Sequence, residues 1–398
     1  MKSKITNIKF ALLCLIGFML TFYIFYTPLC IVLFAIAWVA EGNLKRKATT
    51  FLKNKYALLF ISLYLIYLAG MLYTSHTQQG WFDMQIKLSI ALFPILLSAE
   101  GEMDFGKQKW FGFAFISGAV LHGLGCLLFA TWQYFSSGIA QFTYMQFSKF
   151  VHPTYYSMYI DLAFIFMYYA ITVKAKELTK KEKLFIYISA PFLLLILVLL
   201  NSKMGQIITA LLVPTLLLKY FLSKHSTFKA IATMVAVLGL LVIGISKVSR
   251  FHAMGDLLSG KNRDVQSVES NQARLSVWQA SVEVIKNNPV IGSGTGDAKY
   301  ALLEEYKKEG MTGAYNEILN SHNQYLQTII AVGIPGILIL LANLFAPLFM
   351  AIKRKRFVYM LFIVILCLNF LTESMLDQQA GTMFYGLFNS LLMFNFVI

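Results

Sequence analysis

Charged residues are scarce in this sequence, and their scarcity limits the kind of protein that it can encode. Of 398 residues only 13% are Asp, Glu, Lys or Arg, whereas 58% are hydrophobic. Soluble domains usually carry about 25% charged residues, so this chain has too little polar surface for an ordinary soluble core. We conclude that lipid is the solvent for most of the protein.

Acidic residues are scarcer than basic ones: the sequence has 19 Asp and Glu against 34 Lys and Arg, which gives a formal net charge of +15. In a soluble protein that excess would suggest nucleic-acid binding. Here the basic residues lie in short clusters between apolar runs, which is typical of topology signals that face anionic lipid. We therefore expect membrane lipids as partners and no nucleic acid.

Cysteine is also rare, and Cys14, Cys30, Cys126 and Cys367 each lie inside an apolar run. None has the spacing of metal ligands, and none lies in a polar loop where a disulfide framework would form. We expect small buried side chains there, and neither a metal site nor a cofactor.

Long apolar runs, in contrast, are abundant. A membrane-spanning helix needs about 20 mostly apolar residues. The first run resembles a secretory signal but lacks a small-residue cleavage site, so we expect a retained helix. The predicted fold class is all-α, a polytopic membrane helix bundle of about 12 transmembrane helices. The predicted spans are residues 8–25, 27–41, 56–74, 82–98, 110–135, 154–173, 184–200, 203–222, 228–247, 322–349, 356–371 and 379–397.

The basic residues predict the orientation of these spans. With the N-terminus in the cytoplasm, 22 of the 34 Lys and Arg fall on the inner side, for example in KRKATTFLKNK at 45–55 and KRKR at 353–356. The short outer loops carry almost none apart from Lys149. This bias is the positive-inside pattern, and it predicts that both termini are cytoplasmic.

One connection is far longer than the others. Residues 248–320 form a polar outer loop of about 70 residues that includes a predicted helix, RLSVWQASVEVIKNN, and a turn, PVIGSGTGD. A loop of this length with regular structure is usually functional. The chain is therefore predicted to comprise helices 1–9 in residues 1–247, a large, partly helical periplasmic loop before helix 10 in residues 248–320, and helices 10–12 in residues 321–398.

Ionisable residues near membrane depth are costly and therefore informative. Several also have simpler explanations: Asp83 and Lys87 are four residues apart and can pair on one helix, and Lys203 can reach the interface by snorkelling. His122 is expected to pack between helices, because glycines flank it. The five charged candidates, all at or near predicted outer helix ends, are Lys87, Asp161, Lys203, Glu373 and Asp377.

His322 differs from these because it lies in a polar group, Asn320-Ser321-His322-Asn323, directly before a predicted span. Tyr325 follows one turn later, and Gly333, Pro335 and Gly336 allow a kink or a close helix approach. A neutral imidazole can accept a proton at ordinary pH. We therefore predict a base at the outer membrane surface.

These segments resemble the O-antigen ligase and polymerase superfamily of bacterial inner-membrane proteins. HNQYLQTIIAVGIPG at 322–336 is similar to the family's HNxYL…GxxG signature, and RLSVWQASVEVIKNNPVIGSGTGD at 274–297 is similar to its Arg-x-x-x-Trp…Pro-x-x-Gly-x-Gly stretch. HPTYYSMYI at 152–160 and ESMLDQQAGTMFYGLF at 373–388 also look like family segments. The large outer loop before the signature helix matches the family's plan.

The resemblance implies glycosyl transfer at the periplasmic face of the inner membrane. The donor would be a glycan on undecaprenyl diphosphate, and the acceptor a sugar hydroxyl of lipid A-core or of a growing glycan. His322 would activate the acceptor, and Arg274 would bind the donor diphosphate. The family's second arginine corresponds to Lys203 in Asn201-Ser202-Lys203-Met204-Gly205, and a lysine lacks the bidentate fork of an arginine.

Elementary chemistry leads to the same kind of site. Departure of a lipid diphosphate needs cations, and an incoming hydroxyl needs a base. The sequence has no Asp-x-Asp, so we expect a metal-independent glycosyltransferase that uses Arg274, Lys203 and Lys87 as its cations. Residues expected to support the site are Asn323, Tyr325, His152, Glu373 and Asp377.

Two alternatives remain open at this stage. A polymerase would use the same donor and extend the glycan rather than transfer it to lipid A-core in lipopolysaccharide biosynthesis. A secondary transporter or flippase would show midplane charges, broken helices in symmetric positions or inverted repeats. The sequence shows none of these features, and we favour the ligase.

Overall fold

The computed structural model describes residues 2–223 and 271–396, with residues 228, 231, 232, 235 and 239 between them. Every regular element in the two continuous ranges is helical. The predicted ninth span, 228–247, and the first part of the predicted loop, 248–270, lie outside the described residues except at those isolated positions.

Sixteen α-helices occur in the two continuous ranges, joined by short 3-10 turns such as Met375–Asp377. They are α1 Lys2–Phe22, α2 Thr27–Ala40, α3 Leu44–Lys53, α4 Lys55–Gly70, α5 Thr77–Leu97, α6 Phe105–Ser137, α7 Tyr144–Phe147, α8 Pro153–Thr172, α9 Lys180–Leu200, α10 Lys203–Ser223, α11 Asn271–Asn287, α12 Ala298–Lys308, α13 Thr312–Asn316, α14 Gln324–Lys353, α15 Phe357–Phe370 and α16 Gln379–Phe394.

Seven helices among the described residues are long and apolar enough to cross a membrane, or eight if α2 and α3 count as one broken span. The prediction of an all-α polytopic membrane bundle is therefore confirmed. The number twelve stays a prediction: α15 and α16, with 14 and 16 residues, are shorter than a bilayer normally requires. Helix α8 is long enough but carries five tyrosines and Asp161, and it is not among the seven.

The chain divides into two compact units, one of residues 1–44 and 102–248 and the other of residues 45–101 and 249–398. In the first unit α1 packs against α2 and α6, and α8 packs against α6, α9 and α10. The first three-quarters of α8, Pro153–Met167, is buried without interruption, polar side chains included. This burial explains why α8 is less apolar than a helix that faces lipid.

The second unit is built around α4, α5, α14 and α16. Helix α5 packs against α4 and α16, and α14 packs against α4, α15 and α11. Helices α11–α13 belong to the long predicted loop, and the predicted helix RLSVWQASVEVIKNN forms most of α11. The predicted three-part division of the chain stays a prediction.

Helix α14 is broken in the middle, at Val332 (φ −136°) and Gly333 (φ +63°). Pro335 has no N–H to donate to the Ala331 carbonyl, which instead accepts from Gly294 N at 3.0 Å. A side chain at Gly333 would place its Cβ against the Val290 carbonyl. The kink expected from Gly333, Pro335 and Gly336 is present, and only glycine fits its centre.

The glycine-rich stretch 289–297 fills this break. Ser293 N donates to the Ile330 carbonyl at 2.7 Å, and Ile334 N donates to the Pro289 carbonyl at 3.1 Å. Backbone groups that lose their helical partners at membrane depth must find others within the protein. The stretch PVIGSGTGD therefore completes the hydrogen bonding of α14 and fixes the part of the long loop that precedes α12.

Candidate functional site

The start of α14 is fixed by its N-cap. Asn323 Oδ1 accepts from Tyr325 N at 2.9 Å and from Leu326 N at 3.1 Å, and its Nδ2 donates to the Leu371 carbonyl at 3.2 Å. The Tyr325 hydroxyl donates to the Cys367 carbonyl at 3.1 Å. Both residues, predicted to support the site, thus anchor the beginning of α14 to the end of α15.

His322 lies just outside the helix in the left-handed region, with φ +47°. Its N–H donates to Asn320 Oδ1 at 3.0 Å. On its other side, Ser321 Oγ contacts Ser374 Oγ at 3.1 Å and donates to the Asn323 carbonyl at 2.8 Å. A left-handed conformation is uncommon for a residue other than glycine, and strained backbone of this kind persists only where its surroundings hold it.

The side chain of His322 lies beside a carboxylate that also binds an arginine. Glu373 Oε2 is 3.5 Å from His322 Nδ1, and Glu373 Oε1 accepts from Arg274 Nη2 at 3.0 Å. The exposed fractions of these side chains are 10% for Glu373, 22% for His322 and 30% for Arg274. The structure thus brings three predicted site residues from three segments of the second unit into one partly buried cluster.

This arrangement restricts how the imidazole can work. Nδ1 is buried and faces the carboxylate at a distance suited to an ion pair, without the geometry of a hydrogen bond. A carboxylate on that side favours the tautomer that carries its proton on Nδ1, so Nε2 is the atom able to accept one. The cluster has the parts of a base and its orienting group.

Lys87 has a different partner from the one that local spacing suggests. Its Nζ is 2.8 Å from Asp377 Oδ1 and 4.8 Å from the centre of the Tyr67 ring, and the lysine is 2% exposed. Asp83 accepts from Gln79 Nε2 at 2.8 Å instead. Because Asp377 compensates the charge of Lys87, this lysine is less suited to a diphosphate than the sequence suggested.

A cavity of about 370 Å³ lies beside these residues, within the size range of small-molecule sites. Two lysines and two aspartates line it, so its charge is balanced, and amide side chains supply further donors and acceptors. Asn320 is in its wall and also accepts the His322 N–H. The polar residues of the lining are Tyr67, Gln79, Asp83, Lys87, Thr295, Lys299, Asn320, Gln327, Asp377 and Gln378.

Lys203 and His152 belong to the first unit, and their predicted roles stay predictions. Lys203 is half-buried at the start of α10, two residues after Asn201, which ends α9 with φ +49°. His152 is the N-cap of α8, where its Nδ1 accepts from Thr154 N at 3.3 Å.

Two other ionisable residues of the first unit have structural contacts. Asp161 is buried in α8 and accepts from Thr209 Oγ1 at 2.7 Å, a hydrogen bond inside the bundle. His122 Nδ1 is 2.9 Å from the Phe22 carbonyl, and its ring packs on Tyr156, as expected of a helix-packing residue.

Sequence reasoning missed two polar contacts that shape the site. Gln324 Oε1 accepts from Leu376 N at 2.6 Å, which links the first residue of α14 to the turn that carries Asp377. Asp297 accepts from Ser75 N at 2.7 Å and from His76 N at 2.8 Å. Partial burial raises the pKa of Asp297, but these N–H donors and the His76 side chain, whose Nδ1 is 2.6 Å from Oδ1, together lower it by more, so its pKa lies below the ordinary value. In the sequence, the position of Asp297 at the end of PVIGSGTGD is the feature that could have predicted this contact.

Among residues 2–223 and 271–396, no group of three or more His, Cys, Asp or Glu side chains is arranged to hold a metal ion. The sequence-based expectation of metal independence stays a prediction.

Comparison with known proteins gives a family match in the segment that contains Arg274 and His322. The helices define a multi-pass membrane protein. Residues 188–341 match the family model described as O-Antigen ligase, and this segment includes Arg274, His322 and the break in α14. The predicted resemblance to the O-antigen ligase and polymerase superfamily is thereby confirmed. The match does not separate a ligase from a polymerase.

A curated relative comes from Haemophilus influenzae (strain ATCC 51907 / DSM 11121 / KW20 / Rd) and is described as "Uncharacterized protein". The alignment is 232 residues long at 23% identity and covers 54% of this chain. The chain spans 57% of the length of that relative.

Proposed function

We propose that this protein is a glycosyltransferase that moves a glycan from undecaprenyl diphosphate to a sugar hydroxyl of lipid A-core, as an O-antigen ligase does. The reaction would take place at the periplasmic face of the bacterial inner membrane. The observation that carries this proposal is the His322–Glu373–Arg274 cluster at the start of α14, inside the segment that matches the O-antigen ligase family.

In the proposed reaction His322 is the general base. Its Nε2 takes the proton of the acceptor hydroxyl as that oxygen forms a bond to the anomeric carbon of the donor sugar. The bond between this carbon and the diphosphate oxygen breaks, and undecaprenyl diphosphate leaves with the electron pair. One displacement inverts the anomeric centre. Glu373, whose Oε2 is 3.5 Å from Nδ1, favours the tautomer that leaves Nε2 as the proton acceptor.

Arg274 is assigned to the leaving diphosphate. A guanidinium has five N–H donors, so Arg274 can hold Glu373 through Nη2 and still donate to phosphate oxygens. Such contacts gain strength as negative charge develops on the departing phosphate. Lys203 is retained as the second candidate cation, and Lys87 becomes the less favoured one because of its pair with Asp377.

The cavity beside Asn320 is assigned to sugar rather than to phosphate. Its paired lysines and aspartates give no excess of positive charge, whereas its amides and hydroxyls match the donors and acceptors of a sugar ring. Since Asn320 also fixes the backbone of His322, a sugar in this cavity would lie next to the base.

Transport is less consistent with the geometry of α14. Broken helices in transporters use their exposed backbone carbonyls to coordinate ions. Here the carbonyls of Ile330 and Ala331 accept from Ser293 and Gly294, so they are already engaged.

The deciding experiment uses purified protein in detergent, an undecaprenyl-diphosphate-linked glycan and no added metal. Lipid A-core and a second lipid-linked repeat unit are offered in separate reactions. Glycan on lipid A-core is the expected product of a ligase, whereas a ladder of lengthening lipid-linked chains would indicate the polymerase. Donor binding without either product would contradict both assignments. A parallel reaction with EDTA tests metal independence.

A further inference from the structure

A second polar cavity lies in the same unit, at the helix ends opposite to His322. The ends of several helices meet there: α4 begins at Lys55, α5 ends before Ser98, α14 ends at Lys353 and α16 ends at Phe394. The cavity measures about 600 Å³. It lies at the far end of the 30-residue α14 from the candidate catalytic cluster, with the break at Val332 and Gly333 between them.

The charge of this cavity has one sign. Four basic residues line it, and the described residues of its lining include no Asp or Glu; Thr50, Asn54 and Ser98 add small polar groups. The basic residues are Lys53, Lys55, Arg354 and Arg356. The lining of this cavity is therefore basic, unlike that of the charge-balanced cavity beside Asn320, and it is suited to bind an anion.

One of the four cations is fixed and three are accessible. Arg356 is buried, and its Nη1 donates to the Met393 carbonyl at 2.9 Å, so it forms the inner wall. Lys53, Lys55 and Arg354 are exposed. Asn54 is occupied as the N-cap of α4, where its Oδ1 accepts from Tyr56 N and Ala57 N. The lysine and arginine side chains are therefore the groups available to an anion.

The neighbouring helix indicates where this anion comes from. Helix α3 has the sequence LKRKATTFLK, in which Ala48, Phe51 and Leu52 share one face at helical spacing while basic residues occupy the others. Leu52 is 63% exposed. An amphipathic helix with an exposed apolar face and basic flanks is suited to the plane of the lipid headgroups. The cavity opens beside this helix, since Thr50 and Lys53 of α3 line it.

We propose that this cavity binds the phosphate headgroup of an anionic phospholipid. The binding is separate from glycosyl transfer and depends on none of the residues assigned to it. Lys53, Lys55 and Arg354 would contact the phosphate, Arg356 would shape the floor, and α3 would lie on the acyl boundary. A basic pocket between transmembrane helices is the usual setting for such a headgroup.

The test is native mass spectrometry of the full-length protein released from mixed micelles of phosphatidylglycerol and phosphatidylethanolamine. Wild-type protein is expected to retain phosphatidylglycerol in preference. The variant Lys53→Gln/Lys55→Gln/Arg354→Gln should lose that preference by roughly tenfold or more, because these three exposed cations line one cavity and can contact the same headgroup, each contributing about a fivefold factor there. The matched control, Lys176→Gln/Lys180→Gln/Lys181→Gln, removes three exposed lysines elsewhere and should keep it.

A second measurement separates lipid from free phosphate. Melting temperatures in detergent are compared after addition of phosphatidylglycerol, phosphatidylethanolamine or inorganic phosphate. Stabilisation of the wild type and the control by phosphatidylglycerol alone supports the proposal. Equal retention by the triple variant, equal binding of phosphatidylethanolamine, or equal stabilisation by inorganic phosphate would each overturn it. None of these readouts requires transfer activity, so a failed ligase assay leaves the result interpretable.

Discussion

At the scale of single residues, His322 is the side chain on which the proposed chemistry depends most. His322→Ala removes the base, and general-base catalysis contributes about 10²- to 10⁴-fold to a rate. We expect a loss of that size in single-turnover transfer, with normal abundance and unchanged donor binding. The N–H of residue 322 remains available to Asn320, so the loop should persist. Near-normal transfer by this variant would remove His322 from the mechanism.

Glu373 is a positioning residue in this scheme, and its effect should differ from that of His322. Glu373→Gln keeps the size of the side chain but removes the charge that holds Nδ1 and Arg274. We expect transfer to fall by roughly 10-fold or more and its pH profile to shift, since outer partners of this kind tune the group they hold. Glu304→Gln, at an exposed position of α12, is the matched control. A lower rate with an unchanged pH profile would favour a purely structural role.

Local sequence spacing did not predict the side-chain contacts that hold the candidate site together. The spacing of Asp83 and Lys87 suggested a helical pair, yet Lys87 binds Asp377, which lies 290 positions away. Glu373 and His322 were both selected from the sequence, but nothing local showed that they touch. Such pairs depend on how α5, α14 and the connection between α15 and α16 pack together. A periodic sequence pattern does not encode this packing.

At the scale of elements, the break in α14 gives a sharp test of the fold. Gly333→Ala should lower the melting temperature in detergent, because backbone at φ +63° and ψ −159° is essentially confined to glycine and costs another residue about 1–3 kcal/mol. The Val290 carbonyl would also obstruct the added Cβ. Gly125→Ala, in α6 with nothing within 4 Å of its Cβ, should be neutral or slightly stabilising. Equal melting temperatures for the two variants would contradict the observed break.

Apolar length located most helices well, because each described apolar run corresponds to a helix within a few residues. The kink of α14 was also predictable from Gly333 and Pro335. The segment that bonds to the kink, residues 289–294, was not predictable, because it contributes backbone groups rather than a recognisable side-chain pattern. The lengths of α15 and α16 were not predictable, because an apolar run does not reveal how many of its residues are helical.

Asp297 gives a pH-dependent prediction for the loop element. Its folded pKa is depressed, so its contribution to stability is fully present above the unfolded value of about 3.9 and is lost as the pH falls through the folded pKa. Limited proteolysis between residues 289 and 300 should therefore be slow at neutral pH and accelerate below about pH 4. Asp297→Asn should be cut faster already at neutral pH. Equal cleavage of both proteins at pH 7 would show that Asp297 does not hold Ser75 and His76.

At the scale of the whole molecule, the orientation of the bundle decides whether His322 can meet a lipid-linked glycan outside the cytoplasm. In a background without the four native cysteines, Glu309→Cys in the long loop and Lys180→Cys at the start of α9 give two exposed labelling positions. The positive-inside pattern places position 180 inside and the loop outside. A membrane-impermeant maleimide should therefore label position 309 in spheroplasts and position 180 only after lysis.

The reverse result would have consequences beyond topology. Labelling of position 180 together with protection of position 309 in intact spheroplasts would turn the start of α14 towards the cytoplasm, because residues 309 and 322 lie on the same side of the span that begins at Gln324. A periplasmic transfer reaction at His322 would then be ruled out, even if His322→Ala had lost transfer activity. Labelling of both positions before lysis would signal leaky membranes, which a cytoplasmic enzyme assay on the supernatant detects. Orientation and catalysis are thus tested separately, and the proposed function requires both.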